Sequence, residues 1–501
     1  MNIQFRSIAL AVAMSIALPA VAQKAPPRDE FFWLGEINKA STVMTVERGI
    51  VPKALAPKVA QSVAQVIADG NKPDAKRPTA YIRFEPLMIK AGGPDVTRVH
   101  AGRSSQDMHS TYRQAILRDG TLDLADQLDK ARSTLLKLAA KHVDTIVPGY
   151  TNGVAAQPNS YAHYLLAFAA GFERDAQRLR EAYGRLNRSP MGTTVFNTTS
   201  WPLDRDRLSD LLGFDAPVEN AYDASQVATV DAPVELGAVT TSMALHVGSF
   251  IEDMLTQYAQ PRPWILLQEG GEFTYVSSAM PQKRNPGILN TTRRNASTVI
   301  ADAHGVVLRA HNVPPGMFDA KDVGENSAML AGAADVMKDF DRILKGLQVS
   351  PERALEELNS DWTTSQELAD LLMRKYDVPF RVGHHFASEI VGYARSKGIK
   401  PLDFPYAEAV RIYAEAGKKY ELHGALPLSE SEFRSALNPV DLVKARVVKG
   451  GPQPAEVKRM LKQAEERVAK DQAWTKAQRT KLAEASAKLD AEFKKLLPAS
   501  K

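Results

Sequence analysis

Residues 277–286 read SSAMPQKRNP. Two hydroxyls, a lysine and a carboxamide follow one another around two prolines, Pro281 and Pro286. Proline holds φ near one value, so such a segment loses less backbone freedom when its polar groups order around an anion. Gly270-Gly271, a few residues upstream, has the freedom asked of the hinge of a closing flap. A proline-punctuated surface turn has a similar composition. It gives no reason, however, for Ser-Ser, Met, Lys and Asn to stand in this order.

Outward from that loop the chain reads as helix. Leu124, Leu128, Ala131, Leu135 and Leu138 step by four and three, which builds an apolar seam for helix packing. Pro148-Gly149 is expected to stop that helix. Val457, Leu461, Ala464 and Val468 repeat the spacing, and Leu482, Leu489, Phe493 and Leu496 resume it after an interruption around Trp474. Alternating β-branched runs are scarce, so sheet is at most a minor addition. Punctuation divides the chain after its first 22 residues into residues 23–106, residues 107–362 with the longest periodic stretches and the loop, and residues 363–501. The last part ends in a basic tail introduced by Lys449-Gly450-Gly451-Pro452. That tail is expected to lie over the C-terminal part, because its apolar seam needs a partner.

The first residues describe an export signal. Arg6 gives a positive flank, Ile8 to Leu18 an apolar run and Ala20-Val21-Ala22 a cleavage site, so residues 1–22 are expected to be removed after Ala22. The mature protein is then periplasmic or secreted, with no membrane insertion after cleavage. The 501 residues contain no cysteine, which excludes disulfides, thiolate metal sites and cysteine nucleophiles. Against 58 acidic residues stand 63 basic ones, and the excess of five lies in residues 451–501, with twelve Lys/Arg against seven Asp/Glu. The rest is near neutral, which speaks against a nucleic-acid partner.

Several segments carry a family resemblance. Residues 277–286 resemble the signature loop of the fumarase/aspartase superfamily, GSSxMPxKxNP, with Val276 in place of the leading glycine. Residues 100–107, HAGRSSQD, are similar to the HTGRSRND stretch of the argininosuccinate lyases within it. Residues 151–168, TNGVAAQPNSYAHYLLAF, resemble that branch's THxxxAQPxxxxHxLLA segment. Residues 211–214, LLGF, with Asn220 and Asp223, residues 379–385, PFRVGHH, and Gly450-Gly451-Pro452 with Pro454 and Val457 also match, in the expected order. The resemblance implies an all-α fold, an elongated central helical bundle flanked by smaller N- and C-terminal helical domains. It implies a homotetramer whose active sites are each built from three subunits. The implied reaction is a reversible β-elimination from a small dicarboxylate that releases fumarate, without metal or organic cofactor.

That chemistry needs a base for the proton beside a carboxylate, and fixed donors with a cation for the doubly charged aci-carboxylate that follows. By resemblance Ser277 is the base, while Lys283 and Asn285 hold the carboxylate that gains charge. A serine is a weak base unless backbone donors or a cation favour its alkoxide. Each residue also has a plain reading: Ser277 as a cap, Lys283 as a solvated charge, Asn285 as the holder of an Asn-Pro turn. Ser104 and Thr151 match hydroxyl donors to substrate carboxylates. Arg103 matches too, or serves a structural ion pair, and Gln157-Pro158 fits the site or a helix start. His384-His385 reads as packing and no metal ligand set is assigned.

The pattern breaks at recognition positions. Asn152 stands where the branch has the histidine of its Thr-His pair, and an amide cannot titrate. Ser105 and Gln106 replace Arg-Asn, which removes a bidentate clamp but keeps an amide. Beyond Val313-Pro314, Met317 and Asp322 fall near an expected Tyr and Gln, while the expected lysine has no match, although Lys321 lies nearby. The sequence therefore suggests an exported fumarate-releasing lyase acting on an N-substituted aspartate, with argininosuccinate one candidate. Its acid would be His163, His100 or water. The alternatives are a non-catalytic binding or structural member, and a lyase for a smaller diacid.

Overall fold

The computed structural model describes residues 27–498, and the export signal read at residues 1–22 lies outside them. The fold is all-α, with short two-stranded additions. Helices α1 (Glu30–Glu47), α2 (Ala56–Gly70) and α3 (Tyr81–Gly92) form an N-terminal unit around Phe31, Leu34, Val63 and Phe84. Asp29 caps α1 by accepting the Phe32 N–H, and α1 is buried nearly all round, including Asn38.

Next comes α4 (Ser105–Lys141), whose 37 residues span about 55 Å at 1.5 Å per residue. A capping box fixes its start: Ser104 and Asp107 satisfy each other's backbone donors. The seam from Leu124 to Leu138 is buried as its spacing required. The helix ends at Lys141, seven residues before Pro148, so Pro148 is not its stop. Pro148 belongs instead to β1 (Ile146–Thr151), which pairs antiparallel with β2 (Val154–Ser160) and sets Pro148 opposite Pro158. Two-stranded ribbons have only edges, where a missing N–H is tolerated.

The bundle is completed by α5 (Tyr161–Leu186), then, past the short β3 (Arg188–Ser189), α6 (Arg205–Leu211), β4 (Ala216–Pro217) and α7 (Ala221–Gln226), by α8 (Ala228–Tyr258). The strands β5 (Ile265–Leu267), β6 (Tyr275–Val276) and β7 (Arg284–Asn285) precede α9 (Gly287–Ala310) and α10 (Val323–Gly346). β8 (Leu347–Val349) returns to pair with β5. α10 runs beside α4 in the same direction, since Leu330 meets Gly120 and Asp341 accepts the Thr134 hydroxyl. By length and hydropathy α8 would suit a membrane span, but half of that window is buried in the bundle core.

After α11 (Pro351–Leu358), the helices α12 (Gln366–Tyr376), α13 (Phe380–Lys397), α14 (Tyr406–Lys418), α15 (Glu430–Leu437) and α16 (Pro439–Ala445) include a separate core around Leu368, Phe386, Phe404 and Phe433. The basic tail is α17 (Pro454–Lys494), and it corrects two expectations. It does not cover the C-terminal unit: Val457, Leu461, Ala464 and Val468 enter the bundle core, while Leu489 and Phe493 enter the N-terminal core. Nor is it interrupted near Trp474. Asp471 and Thr475 are buried at that level, and Asp471 bridges Arg132 of α4 (2.6 Å) and Arg180 of α5 (2.7 Å). A buried ionic layer replaces one apolar layer, which is why the periodicity lapses there.

Candidate functional site

Three segments carry the residues singled out in the sequence, and the bundle sets them at its two ends. Arg103, Ser104 and Gln106 lie at the start of α4. Thr151, Asn152 and Gln157 lie on the β1–β2 hairpin beyond its far end. Six strand residues and the four-residue connection recover only part of that length. Thr151 therefore stays more than about 20 Å from Ser104 in the same chain. Ser277, Lys283 and Asn285 sit at the hairpin end as well: Phe273 packs against Gly346, the last residue of α10, and Trp264 donates to the Tyr150 hydroxyl at 3.0 Å. One chain thus joins two of the segments at one end and keeps the third apart.

The loop read first is a hairpin. β6 and β7 pair Tyr275 with Asn285 and Val276 with Arg284. Gly270 and Gly271, at φ +83° and +58°, make the left-handed turn before it. Val276 is not among the positive-φ residues, so its side chain costs no backbone strain where the family has glycine. The Ser277 hydroxyl oxygen, half-buried, accepts the N–H groups of Ala279 (3.3 Å) and Met280 (3.2 Å). Two amide donors favour negative charge on that oxygen, the condition a serine base requires. The Ser277 N–H donates to the Lys283 carbonyl at 3.2 Å, and the Lys283 N–H to the Met280 carbonyl at 3.0 Å, so the loop is closed by its own backbone. The Lys283 side chain is exposed. Asn285 donates weakly to the Tyr275 carbonyl at 3.5 Å, and Arg284 pairs with Glu269 at 3.0 Å.

On the β1–β2 hairpin, Asn152 (φ +53°) and Gly153 (φ +75°) are the two turn residues between Thr151 and Val154. Asn-Gly is the pair such a turn favours. The turn gives Asn152 a conformational reason to stand where the family has histidine, one that the comparison of motifs missed. Thr151, Asn152 and Gln157 are exposed, and Gln157 donates to Gln366 at 3.0 Å. Just beneath, the Tyr150 hydroxyl donates to Glu357 and accepts from Gln257 (3.2 Å) and Trp264.

At the start of α4 the roles shift. Arg103 is buried, donates to Asn38 (3.0 Å) and to the Tyr81 hydroxyl (3.0 Å), and lies over the Tyr81 ring. It braces the helix start from within and is not poised as a clamp for a ligand. Ser104 accepts the Gln106 N–H at 3.2 Å, and the Gln106 side chain is half-buried. Asp107, fully buried, accepts N–H groups from Ser104 (2.9 Å) and Thr194 (3.1 Å), and burial pushes its carboxyl up to about 6. Thr194, Val195 and Thr198 all have positive φ, +46°, +73° and +60°. For a β-branched residue that is strain, which collects at functional sites. The sequence reading missed this strained segment, because nothing in its composition announces it. His100 stacks on Tyr81 at 4.9 Å, and burial lowers its pKa. His163 lies at the other end, against Asn159 (2.9 Å) and the Gly450 carbonyl (2.9 Å). Among the described residues no group of three His, Cys, Asp or Glu side chains is arranged to hold a metal ion.

Residues 90–301 match the family model described as Lyase, and residues 362–444 the one described as Argininosuccinate lyase C-terminal. An argininosuccinate lyase of Methanocaldococcus jannaschii is 31% identical over 437 residues, 86% of this chain and 87% of the relative. The chain belongs to the argininosuccinate-lyase-like branch of the fumarase/aspartase superfamily. Another argininosuccinate lyase, from Methanosarcina barkeri, is 30% identical over 85% of both chains. Among solved structures, an EDDS lyase in complex with formate superposes with a TM-score of 0.83 at 25% identity, covering 93% of this chain and 92% of that one. A fumarate lyase from Mesorhizobium sp. BNC1, at 16% identity, shares the fold with a TM-score of 0.66, over 87% of this chain and 96% of that one.

Proposed function

We propose that this superfamily member is an exported carbon–nitrogen lyase that releases fumarate from an N-substituted aspartate by reversible β-elimination. The observation that carries the reading is the Ser277 oxygen receiving two backbone N–H groups, on a loop that also presents Lys283 and Asn285. Ser277 takes the proton from the carbon beside one carboxylate. The freed electron pair moves into that carboxylate, where Lys283 and Asn285 meet the added charge. It then returns to form the carbon–carbon double bond as the C–N bond breaks, and the nitrogen leaves with its electron pair and gains a proton. An amine already protonated needs no further acid, so a titrating group at position 152 is not required.

The similarity to argininosuccinate lyases and to an EDDS lyase supports substrates of this class, and the substitutions at Ser105 and Gln106 support a leaving group other than the arginine moiety. The separation of Ser104 from the hairpin end supports a homotetramer, in which the helix start of one copy completes the site of another. The experiment is fumarate appearance by ultraviolet absorbance, with the protein begun at Gln23 and offered N-substituted aspartates, aspartate and malate. Fumarate from N-substituted aspartates is the expected result. Turnover of aspartate or malate alone would move the activity to a smaller diacid, and none from any compound would favour a binding role.

A further inference from the structure

Beneath the hairpin that carries Thr151 and Asn152 lies a small cavity of about 120 Å³. β1 forms one wall, and the side chains around it are Tyr150, Tyr161, Tyr164, Trp264, Met254 and Asp253. Tyr161 and Trp264 are buried, Tyr150 and Tyr164 are half-buried, and Asp253 is exposed at the mouth. The Tyr161 and Tyr164 rings are nearly parallel, at 13° with centres 5.8 Å apart. Trp264 stands at 83° to Tyr161, with centres 5.7 Å apart. The faces of such rings carry partial negative charge, so several of them around one small space suit a cation.

The polar groups of the wall favour the same sign. Tyr150 donates to Glu357, Tyr164 to Asp253 at 2.8 Å, and the Trp264 indole to Tyr150 at 3.0 Å, so none of these three keeps a donor for an anion. No Lys, Arg or His lines the cavity. Asp253 is its one charged group, holds Tyr164 through Oδ2 alone, and has no cationic partner among the described residues. Burial, and then the charge of Asp253, keep the Tyr164 phenol above its usual range, so it stays a donor to that carboxylate. Size limits the occupant. An apolar cavity of ~150 Å³ admits benzene, so this one takes a ligand of about four or five heavy atoms, or about four waters.

We infer that this cavity is a binding site for a small organic ammonium ion, separate from the Ser277 loop, with Asp253 as counter-ion and the Tyr161, Tyr164 and Trp264 rings as its walls. The alkyl part enters among the rings and Met254, where apolar surface leaves water. The ammonium stays near the mouth, where Asp253 Oδ1 accepts a charged hydrogen bond. Tyr150 gives the occupant a route to the hairpin: it lines the cavity, it joins Glu357, Gln257 and Trp264, and Thr151 and Asn152 follow it in the chain. A bound ammonium therefore holds β1 against α8 and slows the opening of the hairpin. The inference stands apart from the lyase reading, since it needs only the cavity and its charge.

The test offers three probes of one size to the protein begun at Gln23: propylammonium, propan-1-ol and propionate. Binding is measured by calorimetry, and amide hydrogen exchange locates it. Propylammonium should bind with a Kd on the order of a millimolar, as so few heavy atoms allow. Propan-1-ol should bind about tenfold or more weakly, the size expected of a charged hydrogen bond with cation–π support, and propionate should not bind. Propylammonium should also slow exchange in residues 147–150 and 253–264. Asp253→Asn, an exposed change that the fold tolerates, should bring the ammonium and the alcohol to nearly equal affinity and abolish that slowing. An ammonium that binds the unaltered protein no better than the alcohol, or not at all, leaves the cavity to water and overturns the inference without any variant. Slowed exchange confined to other segments, or ammonium binding unchanged in Asp253→Asn, overturns it as well.

Discussion

The two ends of the bundle are built on opposite terms. At the start of α4, Arg103, Asp107 and Asn38 are buried, half-buried Thr194 is tied to Asp107 by its N–H, and the backbone is strained at Val195. At the far end, Thr151, Asn152, Lys283 and the residues around Ser277 are exposed, and the Ser277 loop is held chiefly by its own backbone. One end is preorganised and lacks a base; the other offers a base and lacks a wall. A site needs both properties, since fixed donors act strongly only where water is excluded. Sharing of a site between copies, as proposed above, would bring the two properties together.

The largest expected effect breaks the exposed end. Ser277→Ala should lower kcat by about 10²–10⁴ while leaving the assembly and the melting temperature unchanged, because a general base is worth that much and this one bears on little else. A fall of less than tenfold would remove Ser277 from the role of base. Next is the shaft that keeps the ends apart. Arg132 is 1% exposed and pairs with Asp129 and Asp471. Arg132→Met leaves buried Asp129 without its cation beside Asp471, which keeps only Arg180, and should cost about 3–5 kcal/mol in denaturant unfolding. A loss under about 1 kcal/mol would mean that the layer is dispensable.

The preorganised end is read by pH. Asp107 has its folded pKa raised from 3.8 to about 6 by burial, so between those values the native state holds a proton that the unfolded state has lost. Stability of the wild type should therefore fall, relative to Asp107→Asn, as pH rises from about 4 to about 6, and the gap should stay constant above that. Parallel stability curves for the two proteins across that window would contradict the assignment. The smallest effect belongs to the hairpin turn. Asn152→Gly should be nearly neutral, whereas Asn152→Ala should cost about 1 kcal/mol because alanine resists a left-handed φ. Equal stability of the two variants would return Asn152 to the list of residues chosen for chemistry.

Much of the fold was legible because periodicity reports burial directly. The seam of α4 and both apolar runs of α17 lie where their spacing put them, and the loop at 277–286 was readable from residue order alone. What escaped had a physical reason each time. The lapse at Trp474 looked like a break because Asp471 and Thr475 are polar, and pattern alone cannot see that Arg132 and Arg180 make such residues good core. Pro148 looked like a helix stop, although a two-stranded ribbon accepts proline as well. The destination of α17 was misjudged because an apolar stripe states a need for a partner without naming one. Arg103 matched a motif, yet its burial against Asn38 and Tyr81 depends on helices far away in the sequence.

The central claim is that the base-bearing end of one copy is completed by the α4 start of another. Mixed assembly tests it most directly. Ser277→Ala removes the base, and Gln106→Glu sets a negative charge where a substrate carboxylate is expected, at a helix start that tolerates acids. Each variant alone should be inactive. Denatured together and refolded, they should regain fumarate release, because some sites then draw an intact hairpin end and an intact helix start from different copies. Full inactivity of the mixed oligomers, with both variants folded and assembled, would contradict the account.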